Sequence, residues 1–90
     1  MQIRLLGRIW RLVRVKKLTR GQGGECDAPT MPRKAIRILD DLEEEDELRL
    51  LIHEFLHACN WWADEEWVDD ASSDMAKALW RLGWRKTKTQ

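Results

Sequence analysis

The sequence lacks or is poor in several residue types on which common protein classes depend. Its 90 residues contain no tyrosine, one phenylalanine, two prolines, two histidines and two cysteines. Cys26 and Cys59 form neither a Cys-x-x-Cys pair nor a disulfide framework, so we expect reduced thiols and a cytoplasmic protein. The most apolar stretch, residues 48–59, is interrupted by charge and is too short to span a bilayer. The N-terminus is basic but has neither the apolar run nor the small-residue cleavage site of a signal peptide.

Tryptophan and charge are abundant by contrast. Charged residues make up 36% of the chain. A chain of this length is expected to form one domain, 1–90, whose small core needs efficient packing or a stabilising metal. Six tryptophans can bury much apolar area from few residues; they are Trp10, Trp61, Trp62, Trp67, Trp80 and Trp84.

The charges are unevenly distributed although they cancel overall. Residues 1–38 carry ten bases and two acids, residues 39–80 carry two bases and fourteen acids, and residues 81–90 carry four bases. The simplest interpretation is that basic and acidic elements neutralise each other in the fold, since net charge concerns association more than architecture. The alternative is a basic face for nucleic acid within residues 4–20; its cations would be Arg4, Arg8, Arg11, Arg14, Lys16 and Lys17.

The first 39 residues favour β-structure. Residues 8–18 are rich in β-branched side chains in partial alternation, which predicts a strand, while residues 1–7 could instead form a helical turn. Residues 21–24 (Gly-Gln-Gly-Gly) indicate a flexible turn, and Pro29 and Pro32 an irregular connection. A second strand at 35–39 is expected to pair antiparallel with the first.

Residues 40–84 favour two helices. The first should run from about residue 43 to residue 59, with Asp40 or Asp41 as cap and a core face at helical spacing; that face comprises Leu48, Leu51, Ile52, Phe55, Leu56 and Cys59. The second should begin near Asp64 as cap and stop at Gly83, with an inward stripe of Val68, Ala71, Met75, Leu79 and Leu82. Residues 85–90 form a polar tail. The predicted fold class is α+β, with a small antiparallel sheet from the N-terminal half packed on two helices.

Both histidines fall within the motif His53-Glu54-Phe55-Leu56-His57. Residues four apart lie on one face of a helix, so the two imidazoles can point at one metal ion. Zinc accepts neutral imidazole nitrogens in tetrahedral sites. Glu54 can act as general base toward a water at that metal without ligating it, which is why this spacing occurs in metallopeptidases.

A third protein ligand is needed, and no other histidine exists. The extended pattern HExxHxxGxxH is excluded, because Asn60 and Ala63 stand where it requires glycine and histidine. The ligand is therefore expected to be a carboxylate from the second helix; the candidates are Asp64, Glu65, Glu66, Asp69, Asp70 and Asp74. The inward stripe places Glu66, Asp69 and Asp70 well away and Asp64 and Glu65 nearer. Because Asp64 is short and serves as the cap, the longer Glu65 is favoured. Glu66 is the alternative, since a register shift of one residue is easy near a helix start.

Other residues have plainer interpretations. Met75 sits at core spacing and is predicted to be a core methionine. Trp61 and Trp62 could line a substrate pocket, but we favour packing beneath the loop between the helices. Cys26 could be a fourth ligand in a latent enzyme; a simple thiol is the favoured alternative.

Residues 35–84 resemble small phage and prophage proteins with a zincin-like, SprT-like metallopeptidase domain. The resemblance lies in Ile36-Arg37-Ile38, in 51–59 around the HExxH motif, in 64–68 and in 78–83. The stretch is also similar to minimal gluzincins, in which a glutamate from the next helix completes the site. The resemblance implies zinc at His53 and His57, Glu54 as general base, and an edge strand, with Ile36, Arg37 and Ile38, that binds an extended peptide. A phage-encoded protein would act in the host cytoplasm. The chain lacks the later histidine and the zinc ribbon of SprT proteins.

Two functions follow as hypotheses. The first is a zinc-dependent peptidase with protein or peptide substrates, in which Arg33, Arg37 or a backbone N–H would stabilise the oxyanion in the absence of tyrosine. The second is a non-catalytic module that keeps Zn²⁺ as a structural staple and binds nucleic acid or a protein through its basic N-terminal face. Neither hypothesis involves a membrane.

Overall fold

Four strands and two helices build the domain. The computed structural model describes residues 1–19 and 23–87. The elements are β1 (Gln2–Leu5), β2 (Arg8–Val15), β3 (Gly24–Cys26), β4 (Ala35–Leu39), α1 (Glu44–Cys59) and α2 (Glu65–Arg81). The α+β class is thus confirmed. Within the described ranges no helix has the length and apolar character needed to cross a membrane.

The chain begins with a β-hairpin rather than a helical turn. β1 pairs antiparallel with β2, and Ile3 lies opposite Trp10. Leu6 and Gly7 form the connection with φ values of 49° and 77°. Positive φ at both central residues is the geometry that suits the twist of a two-residue hairpin. β2 itself ends at Val15, earlier than the predicted residue 18.

The sheet is mixed, and the prediction of a purely antiparallel sheet is wrong. Its strand order is β1-β2-β4-β3, in which β2 and β4 are parallel and β3 is antiparallel to β4. The reason is β3, a three-residue strand that the sequence did not reveal. The chain reverses direction at β3 on the outside of the sheet and again into β4, so β4 runs in the same direction as β2. The predicted turn at 21–24 is only partly described, since Gly21 and Gln22 lie outside the described residues, and Gly24 belongs to β3.

α1 packs on one face of the sheet. Trp10, Ile36, Ile38 and Ala58 form the buried cluster. Partly buried residues surround it: Ile3, Leu5, Leu12, Cys26, Leu42, Leu50, Leu51 and Phe55. The predicted core face of α1 is therefore right at Leu51 and Phe55. The prediction did not include Ala58, nor the three buried polar residues of α1, which are Glu47, His53 and Glu54.

The caps differ between the two helices. α1 starts after Glu43, which makes no side-chain capping bond, so the predicted cap at Asp40 or Asp41 is wrong. α2 is capped by Asp64, whose Oδ2 accepts from the Trp67 N–H at 3.1 Å, as expected. Gly83, with φ of 98°, ends it by donating its N–H to the Trp80 carbonyl at 3.0 Å. The left-handed conformation that closes a helix in this way favours glycine.

Candidate metal centre and its cleft

The two helices bring His53, His57 and Glu65 together. Glu65 Oε1 lies 3.1 Å from His53 Nε2, and Glu65 Oε2 lies 3.0 Å from His57 Nε2. The two Nε2 atoms are themselves 3.2 Å apart. Among the described residues, this is the group of histidine, cysteine and acidic side chains that could hold a metal ion. The sequence thus identified three side chains that do converge.

Glu65 faces the histidines because α2 is rotated from its predicted orientation. Its buried residues are Val68, Ser72 and Ala76. At 100° per residue, Glu65 lies about 20° from the centre of that stripe and Glu66 about 120° from it. The predicted stripe was wrong by about 60°, since Met75 and Leu82 are 44% and 75% exposed. This orientation turns Glu65 toward the histidines, although its side chain is 64% exposed, and turns the alternative ligand, Glu66, away from them.

The spacing of these atoms fits a tetrahedral zinc site. Ligand atoms about 2.0–2.2 Å from a tetrahedral zinc lie about 3.3–3.6 Å from one another. The observed separations of 3.0–3.2 Å, in which each histidine nitrogen faces a different Glu65 oxygen, are slightly shorter than this. The donor set, two imidazoles and a carboxylate, is one that zinc accepts in catalytic sites.

Asp69 is a functional candidate that sequence reasoning excluded. Its Oδ1 lies 3.1 Å from His53 Nδ1. The contact is not aligned as a hydrogen bond, and His53 Nδ1 is buried without a hydrogen-bond partner among the described residues. A carboxylate on the second nitrogen of a metal-binding histidine fixes the tautomer and orientation of the ring. The sequence signal for Asp69 is its position four residues after Glu65, which places both side chains on the same face of α2.

Glu54 is buried and lines the same cleft as the histidines. It is 4% exposed, and burial, with the negative charges of Glu65 and Glu25, raises its pKa to about 7. β3 passes directly beside it. A Cβ on Gly24 would lie 3.2 Å from the Glu54 carboxylate and 2.8 Å from Ile38 Cδ1, so glycine permits this close approach.

The cleft has a volume of about 580 Å³. One wall is β3 with the loop that follows it, and the other is the α1–α2 connection. The lining residues are Leu18, Gly24, Glu25, Cys26, Asp27, Ala28, Met31, His53, Glu54, His57, Trp61, Trp62, Ala63 and Glu65.

The edge strand beside the cleft is β3, not the predicted strand at 35–39. β4 lies between β2 and β3, so its hydrogen-bonding groups are used on both sides, and Ile36 and Ile38 are buried. The Asp27 N–H donates to Ala35, and the Leu39 N–H donates to Gly23. By alternation, the backbone groups of Gly24 and Cys26 point away from β4, toward the open edge.

Two of the proposed cleft side chains have other roles. Arg37, named as a possible substrate or oxyanion contact, forms a two-bond pair with Asp27 at 2.8 and 3.2 Å. Cys26 donates to the Asp27 carbonyl at 3.4 Å and is outside the ligand group. Burial, with the negative charges of Glu54 and Asp27, raises its pKa to about 12. In this structure Cys26 thus behaves as a protonated thiol.

Three further side chains are more exposed than expected. Trp61 and Trp62 are 36% and 89% exposed and line the cleft, so the prediction that they pack beneath the loop is wrong. Met75, at 44% exposed, is not a core methionine. Met75 is exposed because the inward face of α2 differs from the predicted stripe, and Ser72 and Ala76 occupy the buried positions there.

The N-terminal cations do not share one face. Along β2, Arg14 lies on the same side as buried Trp10 and pairs with Glu47 of α1 at 2.8 Å. Arg11 lies on the opposite side, where its Nε donates to the Arg33 carbonyl at 3.1 Å. The charge segregation is thus partly neutralised within the fold, and no continuous basic stripe runs along β2.

No protein-family model, no curated protein and no solved structure matches this chain.

Proposed function

We propose that this domain is a zinc-dependent peptidase. The observation that carries the proposal is the convergence of His53, His57 and Glu65 within 3.2 Å of one another, beside a Glu54 carboxylate that lines the same cleft. Three protein ligands leave a fourth position open for water or substrate, as in catalytic zinc sites. The free thiols Cys26 and Cys59 fit action in a reducing compartment.

The residues of the chain divide the chemistry between them. His53, His57 and Glu65 would hold the ion, which when bound polarises the scissile carbonyl and makes a water acidic. Glu54 takes a proton from that water as its oxygen attacks the carbonyl carbon. Glu54 then returns the proton to the amide nitrogen as the C–N bond breaks, so the amine leaves neutral and a carboxylic acid remains.

The open edge of β3 would position the substrate. Gly24 and Cys26 present backbone donors and acceptors on the cleft side, to which an extended peptide can add as a further strand. Within the described cleft no lysine or arginine is available for the oxyanion. A backbone N–H of this edge is therefore the donor we favour.

The first experiment is the metal content of the purified protein by elemental analysis. We expect near-stoichiometric zinc in the wild type and none in a His53→Ala/His57→Ala double variant. Glu65→Gln should lower zinc affinity by more than the roughly 10–100-fold typical of a residue that only supports a ligand. Glu66→Gln is the matched control and should bind zinc normally. Wild-type protein without metal, with folding unchanged by chelators, would refute the proposal.

Activity is the second step. Zinc-loaded protein should cleave an unfolded protein such as denatured casein, and a chelator should stop it. Glu54→Gln should retain zinc and lose cleavage. If Glu54→Gln cleaves as well as the wild type, Glu54 is not the base and this mechanism is wrong.

A further inference from the structure

Large apolar side chains meet at the mouth of the cleft. Trp61 and Trp62 lie on the α1–α2 side, and Leu18 and Met31 lie on the sheet side. Trp62 is 89% exposed, Met31 51% and Trp61 36%. Single exposed apolar side chains are common on proteins, but several converging on one concave site indicate a binding surface.

Backbone hydrogen bonds order the short loop that carries the two tryptophans beside His57. Trp61 follows His57 by four residues, just beyond the end of α1. The Asn60 N–H donates to Leu56 at 2.9 Å, and the Ala63 N–H donates to Asn60 at 3.0 Å. Asp64 then caps α2. Hydrogen bonds at both ends of this short loop therefore make it a defined wall of the cleft.

The charges of the cleft do not provide a site for a basic side chain. Four carboxylates line it, but Glu54 and Glu65 belong to the metal centre and Asp27 is paired with Arg37. Glu25 lies opposite Arg37 in the β3–β4 pairing, and its charge acts on that guanidinium. The remaining wall is apolar, which favours an apolar side chain over lysine or arginine.

We propose that the cleft selects extended peptides with a bulky apolar residue, such as phenylalanine or leucine, next to the scissile bond. The proposal rests on the peptidase function proposed above. A peptide added to the open edge of β3 directs alternate side chains to one face. Such a side chain would lie against Trp61, with Trp62 and Met31 covering it from solvent.

The test uses blocked Gly/Ser pentapeptides whose central residue is phenylalanine, leucine, alanine or lysine. Cleavage by the zinc-loaded protein is followed by mass spectrometry. We expect kcat/KM to be at least about tenfold higher for phenylalanine than for alanine or lysine. Trp61→Ala should reduce cleavage of the phenylalanine peptide by about tenfold and change the alanine peptide by less than about threefold. Trp62→Ala should act in the same direction.

Trp84→Ala is the matched control. Trp84 is 63% exposed but lines a different cavity, so both rates should stay unchanged. A phenylalanine preference that is absent, or that survives Trp61→Ala and Trp62→Ala, would overturn the inference and leave the peptidase standing.

Binding separates the two proposals. Zinc-loaded Glu54→Gln protein is titrated with the same peptides while the indole N–H signals are recorded by NMR. The phenylalanine peptide should shift the Trp61 and Trp62 signals and leave Trp84 unchanged. Such shifts without cleavage by the wild type would refute the peptidase and retain the apolar cleft. Neither shifts nor cleavage would refute both.

Discussion

Two glutamates on the same helix lie in opposite electrostatic surroundings. Glu47 and Glu54 are two turns apart on α1 and are 7% and 4% exposed. Glu47 accepts from Arg14, whose Nη2 is 2.8 Å and Nε 3.1 Å away, and Lys86 Nζ lies 3.4 Å from its second oxygen. Within residues 1–19 and 23–87, Glu54 has no hydrogen bond and no ion pair.

The difference indicates which half of α1 is structural. Glu47 borders an apolar cavity of about 480 Å³, and its two cations neutralise it. Glu54 borders the cleft, and its burial raises its pKa to about 7. Burying a carboxylate without a partner destabilises a fold, and such groups are concentrated at functional sites. The same helix thus satisfies one buried acid and leaves the other available for chemistry.

The largest expected effect is on catalysis. Glu54→Gln should lower kcat/KM by about 10²–10⁴-fold, because the amide cannot accept the proton from water. Glu47→Gln should leave kcat/KM within about threefold, since Glu47 lies at the other end of the helix. Both are measured on zinc-loaded protein with one peptide substrate. Equal losses in the two variants would mean that the contrast between the glutamates does not separate function from structure.

Metal affinity should respond to Asp69. Asp69→Asn removes the negative charge that faces His53 Nδ1, so zinc affinity should fall by about 10–100-fold. The change is measured by competition with a chromogenic chelator. Asp70→Asn is the control, because the Asp70 carboxylate is adjacent in sequence but contacts neither histidine. Unchanged affinity in Asp69→Asn would show that the 3.1 Å contact does not orient the ring.

Stability should respond more to Glu47 than to Glu54. Glu47→Gln should lower the free energy of unfolding by about 1–2 kcal/mol, because Arg14 and Lys86 lose their charged acceptor. The value is modest because Arg14 and Lys86 are 40% and 55% exposed. Glu54→Gln should not destabilise the metal-free protein, since it removes an unpaired buried charge. Urea unfolding with chelator present measures both, and a larger loss for Glu54→Gln would reverse the comparison.

Local spacing explains why the site was largely visible in the sequence. His53 and His57 are one turn apart on a single helix, so their proximity follows from helix geometry alone. Reach favours Glu65 in the sequence, whereas the predicted inward direction of α2 is wrong by about 60°. The same error excluded Asp69. The error arose because the buried face of α2 carries Ser72 and Ala76, which apolar periodicity underestimates.

The sheet was less predictable because its order depends on non-local pairing. The α+β class, the existence of the strand at 35–39 and both helices follow from periodicity. β3, with Gly24 at its start, is too short and too poor in β-branched residues to be recognised. Missing it gave the wrong direction for β4 and the wrong edge strand. The wall of the cleft opposite the tryptophans was therefore the part of the site that sequence reasoning missed.

The smallest expected effect concerns Asp27, which supports that wall. Hydrogen bonds from Arg37 hold the Asp27 pKa below its usual 3.8. Burial opposes this lowering of the pKa, and the Ala35 N–H, which donates to Asp27 at 2.9 Å, adds to it. A carboxyl whose folded pKa is lowered stabilises the fold above its unfolded pKa, and this contribution disappears as pH falls through the folded value. In urea unfolding with chelator present, the free energy of unfolding of the wild type should therefore fall below about pH 4. In Asp27→Asn this fall should be smaller by roughly 0.5–1 kcal/mol, a modest difference because solvent screens the pair. The chelator matters, since acid would also release metal from the histidines and mask the effect. If both proteins lose stability equally between pH 5 and pH 2.5, the Asp27–Arg37 pair does not contribute, and the β3 wall is held by its backbone bonds to β4 alone.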